Sequence, residues 1–140
     1  MAVRITDLEF PHVLALLRAM LREAGLGAWE IEPWLSKSAA RIARDYRENS
    51  GAYFVTYIDG QPVGVAGAQL REAQAFLSFK TTRYGQIVDE YVLANHRGNG
   101  LEQKLRTAAL GWIAQMGMPV LESTPPNLAR LAVHSHGGKL

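Results

Sequence analysis

The chain has 140 residues, of which 48% are hydrophobic, and this is the length and composition of one ordinary globular domain. It contains no cysteine, which excludes a disulfide framework and a cysteine-based metal site. The net charge of only +2, with basic residues spread along the chain, suits an anionic ligand and does not favour nucleic acid.

The N-terminal segment predicts a short strand followed by a capped helix. Residues 3–5 can form the strand, and Thr6 with Glu9 has the spacing of a capping box. The apolar residues that follow recur at helical spacing, and Gly25 and Gly27 end the pattern. We therefore expect a first helix between Thr6 and Gly25.

A second helix is predicted further along, after an irregular segment. Residues 28–35 are expected to be irregular, and Trp29 and Trp34 within them either fill the core or wall a substrate site. Ser36 or Ser38 is the predicted cap of the second helix, which ends before the next strand.

The middle of the chain predicts a β-hairpin. Residues 52–58 and 61–68 are rich in strand-forming residues, and the Asp-Gly pair at 59–60 is a hairpin turn signal. Residues 75–79 form either a short strand or a substrate loop, and residues 80–83 are expected to be a polar turn.

The most informative stretch joins a buried strand, a glycine turn and a long helix. Residues 87–93 carry an apolar run, and residues 95–100 form a basic turn with two glycines. A helix start has free N–H groups and a positive dipole end, and Arg97 adds a full charge. The sequence therefore predicts a seat for a phosphate or pyrophosphate. The helix that follows has one apolar stripe, made of Leu101, Leu105, Ala108, Trp112 and Met116.

The glycine turn also resembles a known motif. Residues 97–101, Arg-Gly-Asn-Gly-Leu, resemble the acyl-CoA pyrophosphate loop of the GCN5-related N-acetyltransferase (GNAT) superfamily, Gln/Arg-x-x-Gly-x-Gly/Ala. Arg97 matches its first position and Gly100 its fourth. Glu102 stands at the last position, where the family has Gly or Ala. Its carboxylate either stabilises the first helical turn through the dipole or weakens cofactor binding.

The predicted element order is β-α-α-β-β-β-α-β-α, which gives an α/β fold with a mixed central sheet and helices on both faces. The resemblance implies a single GNAT-like domain over residues 1–140, with the last strand at 120–123 and the last helix starting at Thr124. The GNAT fold continues with two more strands, so we expect these C-terminal strands to be missing. An exposed edge at residues 120–123 then predicts either a homodimer through that edge or a gene product that has lost its tail.

The resemblance implies an enzyme that acetylates a primary amine of a small molecule or peptide with acetyl-CoA. In the family, backbone groups of the central strand hold the pantetheine arm and polarise the thioester, and the glycine loop holds the pyrophosphate. The cofactor-binding residues implied here are Val92, Leu93, Arg97, Gly98, Asn99, Gly100, Leu101, Glu102 and Asn127.

Three side chains are candidates for proton transfer. His134 stands where many GNAT enzymes have a tyrosine that protonates the departing thiolate, and a histidine can donate a proton too. The competing interpretation is a surface histidine on a short helix. Asp89 and Glu90 can orient or deprotonate the amine. Strand alternation predicts that they face opposite sides of the sheet, with Glu90 on the side of Val88 and Val92.

Other functions are less well supported by the sequence. We expect no metal, because His134 and His136 are two residues apart and do not share a helix face. The rival hypothesis is a non-catalytic CoA-binding or protein-interaction relic of the fold, motivated by Glu102, His134 and the short C-terminus. The N-terminus lacks the apolar core of a signal peptide and no apolar run could span a membrane, so a cytoplasmic location is expected.

Overall fold

A computed structural model describes residues 2–5, 9–74 and 81–121. It confirms the predicted fold class, in which helices flank a central sheet. In chain order the elements are strand β1 (Ala2–Arg4), helices α1 (Phe10–Glu23) and α2 (Ala28–Glu48), strands β2 (Gly51–Ile58), β3 (Gln61–Gln74) and β4 (Thr81–Val92), a 3₁₀ turn (Ala94–His96) and helix α3 (Leu101–Gln115).

The four strands form one sheet in the order β1-β2-β3-β4, and every neighbouring pair is antiparallel. Val120 adds a parallel bridge to Gly85 on the outer side of β4. The Gly85 N–H donates to the Pro119 carbonyl at 2.8 Å, and the Leu121 N–H donates to the Gly85 carbonyl at 2.9 Å. The sheet is therefore mixed, as the element order predicts.

Each face of the sheet has its own apolar core. Helix α3 covers one face and buries the side chains Leu101, Leu105, Ala109, Trp112 and Ile113. Helices α1 and α2 cover the other face, where Val13, Leu17, Ile31 and Ile42 are buried. The predicted stripe of α3 is largely correct, although Ala108 and Met116 are only partly buried at its border. None of the described helices is long and apolar enough to cross a membrane.

The hairpin prediction is confirmed. Strands β2 and β3 are joined by Asp59 and Gly60, which have φ angles of 51° and 77°. Two consecutive positive φ angles are typical of the tight turn that matches the twist of paired strands. Strand β3 is longer than predicted, because it continues to Gln74 and pairs there with β4.

The prediction of an irregular segment at residues 28–35 is wrong. Helix α2 begins at Ala28, and its N-cap Gly27 donates its N–H to Glu30 Oε1 at 3.2 Å. Pro33 lies inside the helix, where it removes one backbone donor. The burial of the apolar face of α2 outweighs that loss, so the helix starts two turns before Ser36.

The two tryptophans of this segment differ in their surroundings. Trp34 is partly buried and packs against the core under α1 and α2. Trp29 lies in the first turn of α2 and is 80% exposed, so it does not fill the core.

Residues 81–83, predicted as a polar turn, are the beginning of β4 instead. Helix α1 ends at Glu23 before Gly25, as predicted. It begins at Phe10 with Glu9 as its N-cap, so the predicted role of Glu9 inside a capping box is wrong. The predicted cap Thr6, the predicted segment 75–79 and the predicted last helix, with Asn127 and His134, lie outside the described residues.

Candidate active site

Strand β4 contains a bulge just before its end. Val65 pairs with Tyr91 and Gly67 pairs with Val88, so two residues of β4, Asp89 and Glu90, lie opposite the single residue between them on β3. Asp89 has a φ angle of 55°, in the left-handed region. An extra residue in one strand bends it and changes the direction of the side chains around it.

The bulge sends the two carboxylates to different sides of the sheet. Asp89 lies on the side of α1 and α2, where the Tyr53 hydroxyl donates to its Oδ2. Glu90 lies on the side of α3, and Arg106 Nη1 donates to both of its carboxylate oxygens at 2.9 and 3.0 Å. The prediction of opposite faces is therefore confirmed.

The bulge also breaks the alternation of side chains between the two faces, on which the prediction for Val88 and Val92 depended. Val92 packs in the core under α3, on the same side as Glu90. Val88 packs in the other core, under α1 and α2. The prediction that Glu90 shares a face with both valines is right for Val92 and wrong for Val88, because the extra residue shifts the pattern by one.

Within the described part of the chain, the end of β4 has no partner strand on the side away from β3. The Leu93 N–H donates to the Val63 carbonyl at 2.9 Å, so the N–H and carbonyl of Val92 point away from β3. The Val92 carbonyl accepts a hydrogen bond from Arg97 Nε at 2.8 Å. Its N–H points to the same side of the strand, where none of the described residues accepts a hydrogen bond from it.

The loop after β4 presents several backbone donors. Gly98 and Gly100 have φ angles of 82° and 83°, which side chains rarely permit, and a Cβ on either would meet open space. The described residues offer no acceptor to the N–H groups of residues 98–100. Gly100 is the N-cap of α3, whose first N–H groups are free as in any helix. Free N–H groups in a glycine loop and at a helix N-terminus are the donors that an anion-binding site uses.

Arg97 is held beside this loop by three contacts. Its Nη2 donates to Glu23 Oε1 at 2.7 Å, and its Nε donates to the Val92 carbonyl. Its guanidinium carbon lies 5.4 Å from the centroid of the Tyr91 ring. The Tyr91 hydroxyl donates to the same Glu23 oxygen at 2.8 Å. The hydrogen bonds from Arg97 and Tyr91 hold the pKa of Glu23 below its usual value. The last turn of α1 is thereby tied to the loop.

A cavity of about 300 Å³ lies between the end of β4 and the first turns of α3, and Arg97 is part of its wall. It brings together four of the predicted site residues, Glu90, Val92, Arg97 and Glu102, with Val65, Tyr91 and Leu105.

The other predicted site residues lie around the cavity or outside the described structure. The side chain of Leu101 is buried in the core, so only its backbone can contact a ligand. Leu93 packs against both cores. The Asn99 amide donates to the His96 carbonyl at 3.5 Å. Asn127 and His134 are outside the described residues.

Sequence reasoning missed four residues around the site. Glu23 and Arg106 hold Arg97 and Glu90, and Arg41 and Tyr53 contact Asp89. Three of these four partners lie at least 36 residues away in sequence from the residue they hold. Only Arg106 is near its partner, and no motif in the sequence marks it.

The sequence also matches a known protein family. Residues 14–137 match the family model described as Acetyltransferase (GNAT) family. The chain belongs to the GNAT family. The match covers the strand, the glycine loop and the helix that resemble the family motif. Among curated proteins, none matches the sequence.

Solved structures share the GNAT fold across the whole chain. A GCN5-related N-acetyltransferase from Ralstonia eutropha is 19% identical, with a TM-score of 0.70 over 100% of this chain and 93% of that one. A predicted acetyltransferase from Clostridium acetobutylicum, solved with acetyl-CoA, is 14% identical, with a TM-score of 0.72 over 100% and 90%. AAC(6')-Iy, solved with the bisubstrate analogue CoA-S-monomethyl-acetylneamine, is 16% identical, with a TM-score of 0.67 over 100% and 90%. At sequence identities this low, these comparisons show a common fold and no common substrate.

Proposed function

We propose that this GNAT protein transfers an acetyl group from acetyl-CoA to a primary amine. The observation that carries the proposal is a cavity lined by Val92, Arg97 and Glu102. Arg97 and Glu102 flank residues 98–100, whose N–H groups have no acceptor among the described residues. A cofactor with a diphosphate at one end and a thioester at the other needs this sequence of donors. Complexes of the similar structures with acetyl-CoA and with a CoA-containing analogue support the same choice.

In this proposal the backbone of the site does most of the binding. The N–H groups of residues 98–100 and of the first turn of α3 hold the diphosphate. The Val92 N–H donates to the thioester carbonyl and stabilises the negative charge that develops on its oxygen during attack. Arg97 fixes the Val92 peptide through its hydrogen bond to the carbonyl. Leu93, Asn99, Leu101 and Asn127 remain predicted contacts.

The chemistry requires two proton transfers. The amine must lose a proton before its nitrogen attacks the thioester carbon, and the sulfur must gain one as the C–S bond breaks. Glu90 lines the cavity, and we assign it the first transfer, directly or through a water. Its pairing with Arg106 orients the carboxylate within the cavity. His134 remains the predicted donor for the sulfur.

The acceptor is an amine of a small molecule or a peptide. AAC(6')-Iy is an aminoglycoside N-acetyltransferase, and it binds the bisubstrate analogue CoA-S-monomethyl-acetylneamine. A cytoplasmic location and a homodimer through residues 120–123 also stay predictions. Leu121, at that edge, is a large apolar residue that is 47% exposed.

Calorimetric titration with acetyl-CoA tests the proposal, followed by a panel of primary amines with detection of the released thiol. We expect micromolar binding that Arg97→Ala weakens about tenfold, which corresponds to about 1.4 kcal/mol. Absence of binding in the wild type would contradict the proposal. Binding without turnover on any amine would favour the alternative, a non-catalytic CoA-binding relic of the fold.

A further inference from the structure

The Asp89 carboxylate at the bulge is held by two side chains from distant parts of the chain. Tyr53, on β2, donates its hydroxyl to Asp89 Oδ2, and Arg41, on α2, places Nη2 3.4 Å from the same oxygen. The side chain of Asp89 is only 16% exposed. It is absent from the residues that line the cavity, whereas its neighbour Glu90 is among them.

Arg41 and Tyr53 are themselves fixed by further partners. Arg41 Nη2 donates to the Tyr53 hydroxyl at 2.9 Å, and its Nη1 donates to Asp45 Oδ2 at 3.3 Å. Asp45 is buried and also accepts from Gln69 Nε2 at 3.3 Å. Burial raises the pKa of Tyr53, so its hydroxyl keeps the proton that it donates to Asp89. The guanidinium therefore sits between two carboxylates in a fixed position.

The sheet is shaped so that Tyr53 can reach Asp89. Tyr53 pairs with Gly67 on β3, and Gly67 pairs with Val88, the residue before Asp89. A Cβ on Gly67 would lie 2.7 Å from the Cε2 and Cζ atoms of the Tyr53 ring. The ring therefore lies across the glycine, and its hydroxyl arrives at the bulge one strand further on.

We infer that Arg41 and Tyr53 are positioning residues for the acetyl transfer, which they serve by holding Asp89 in the left-handed conformation of the bulge. An aspartate adopts that conformation at a cost, and its side-chain contacts offset the cost. The bulge in turn sets the direction of Glu90 and of the Val92 N–H, one to three residues later. This inference rests on the proposed function, in which those two groups act on the substrates.

Three substitutions at Asp89 separate conformation from charge. Glycine adopts a positive φ freely, asparagine tolerates it, and alanine does not. We expect Asp89→Ala to weaken acetyl-CoA binding at least tenfold, and Asp89→Gly and Asp89→Asn to stay within about threefold of the wild type. The backbone amide NMR shifts of residues 90–92 in the free protein should move in Asp89→Ala and remain close to wild type in Asp89→Gly.

Two further variants test the partners with Asp89 intact. Tyr53→Phe and Arg41→Gln should move the same amide shifts and weaken acetyl-CoA binding about three- to tenfold. Arg18→Gln is the matched control, because Arg18 pairs with Glu32 at 3.0 Å on the surface of α1 and α2. If Asp89→Ala does not fold, Tyr53→Phe and Arg41→Gln still test the inference.

Two results would overturn the inference. Equal loss of binding in Asp89→Gly and Asp89→Ala, with unmoved amide shifts, would show that the carboxylate itself contacts the substrates. Unchanged shifts and affinity in both Tyr53→Phe and Arg41→Gln would show that the bulge does not depend on them. The amide shifts need no ligand, so they report on positioning even if the wild type fails to bind acetyl-CoA.

Discussion

Two groups of polar atoms lie on opposite sides of β4, and they differ in how they are satisfied. On the side of α1 and α2, Asp89, Tyr53 and Arg41 contact one another. Arg41 also forms an ion pair with Asp45. On the side of α3, the N–H groups of residues 98–100 have no acceptor among the described residues.

Paired polar groups in a protein interior fix a shape, whereas unpaired donors at an open surface are available to a ligand. We therefore regard the first group as the frame of the site and the second as its binding surface. The two groups meet within a few residues of β4, where Asp89 belongs to the frame while Glu90 and Val92 belong to the cavity.

The largest expected effect comes from the frame. Gly67→Ala would place a Cβ 2.7 Å from the ring of Tyr53, which is only 2% exposed and has no free space to move into. We expect the free energy of unfolding to fall by about 1–3 kcal/mol, measured by urea denaturation, because overpacking a core displaces side chains.

Gly111→Ala is the matched control for this change. Gly111 lies in the interior of α3, and a Cβ there would meet open space. Alanine is the better helix former, so stability should rise by about 0.5–1 kcal/mol. If Gly67→Ala is as stable as the wild type, then Tyr53 does not rest on Gly67 in the way described.

A smaller effect is expected on the binding surface. Glu23→Gln removes a negative charge beside the proposed diphosphate site, while Arg97 keeps its contacts with the Val92 carbonyl and the Tyr91 ring. We expect acetyl-CoA to bind about two- to fivefold more tightly, in line with the roughly 0.2–1 kcal/mol of exposed ion pairs. The gain should shrink as salt is added, because salt screens exposed charges.

Glu32→Gln serves as the control, because Glu32 forms a comparable exposed pair with Arg18, and neither residue lines the cavity. Its affinity for acetyl-CoA should match that of the wild type. Weaker binding in Glu23→Gln would mean that Glu23 orders Arg97 for binding, and the carboxylate would then belong to the frame rather than oppose the ligand.

The features that the sequence could predict are those that depend on neighbouring residues. The hairpin at Asp59 and Gly60 and the loop at Gly98 and Gly100 both follow from glycine or aspartate at positions with positive φ. Helix α3 follows from its apolar spacing. These signals predicted an anion-binding loop and, through the family motif, the fold.

The features that the sequence could not predict depend on distant parts of the chain. The start of α2 at Ala28 depends on burying Ile31 and Leu35 against other elements, and Pro33 in the same turn suggested the opposite. The bulge at Asp89 exists only in the pairing of β4 with β3. A period-two pattern cannot reveal an extra residue, which is why Val88 was placed on the wrong face.

The smallest effect concerns the pH range over which the frame persists. Burial, and then the charge of Asp89, raise the pKa of Tyr53 above the ordinary value of 10.0. A raised folded-state pKa contributes stability below the unfolded-state value and loses it as the pH rises through the folded-state value. The Tyr53 hydroxyl should therefore donate to Asp89 throughout the neutral range, and positioning by the frame should not change there.

Alkaline titration of phenolate absorbance tests this expectation. The chain has five tyrosines, and Tyr53 should be the last to ionise. Tyr53→Phe should remove that last step and leave the earlier ones unchanged. If it instead removes a step with a midpoint near 10, then the ring is in contact with water, and the hydrogen bond to Asp89 is too weak to hold the bulge. A late step would leave the paired side of β4 insensitive to pH throughout the neutral range.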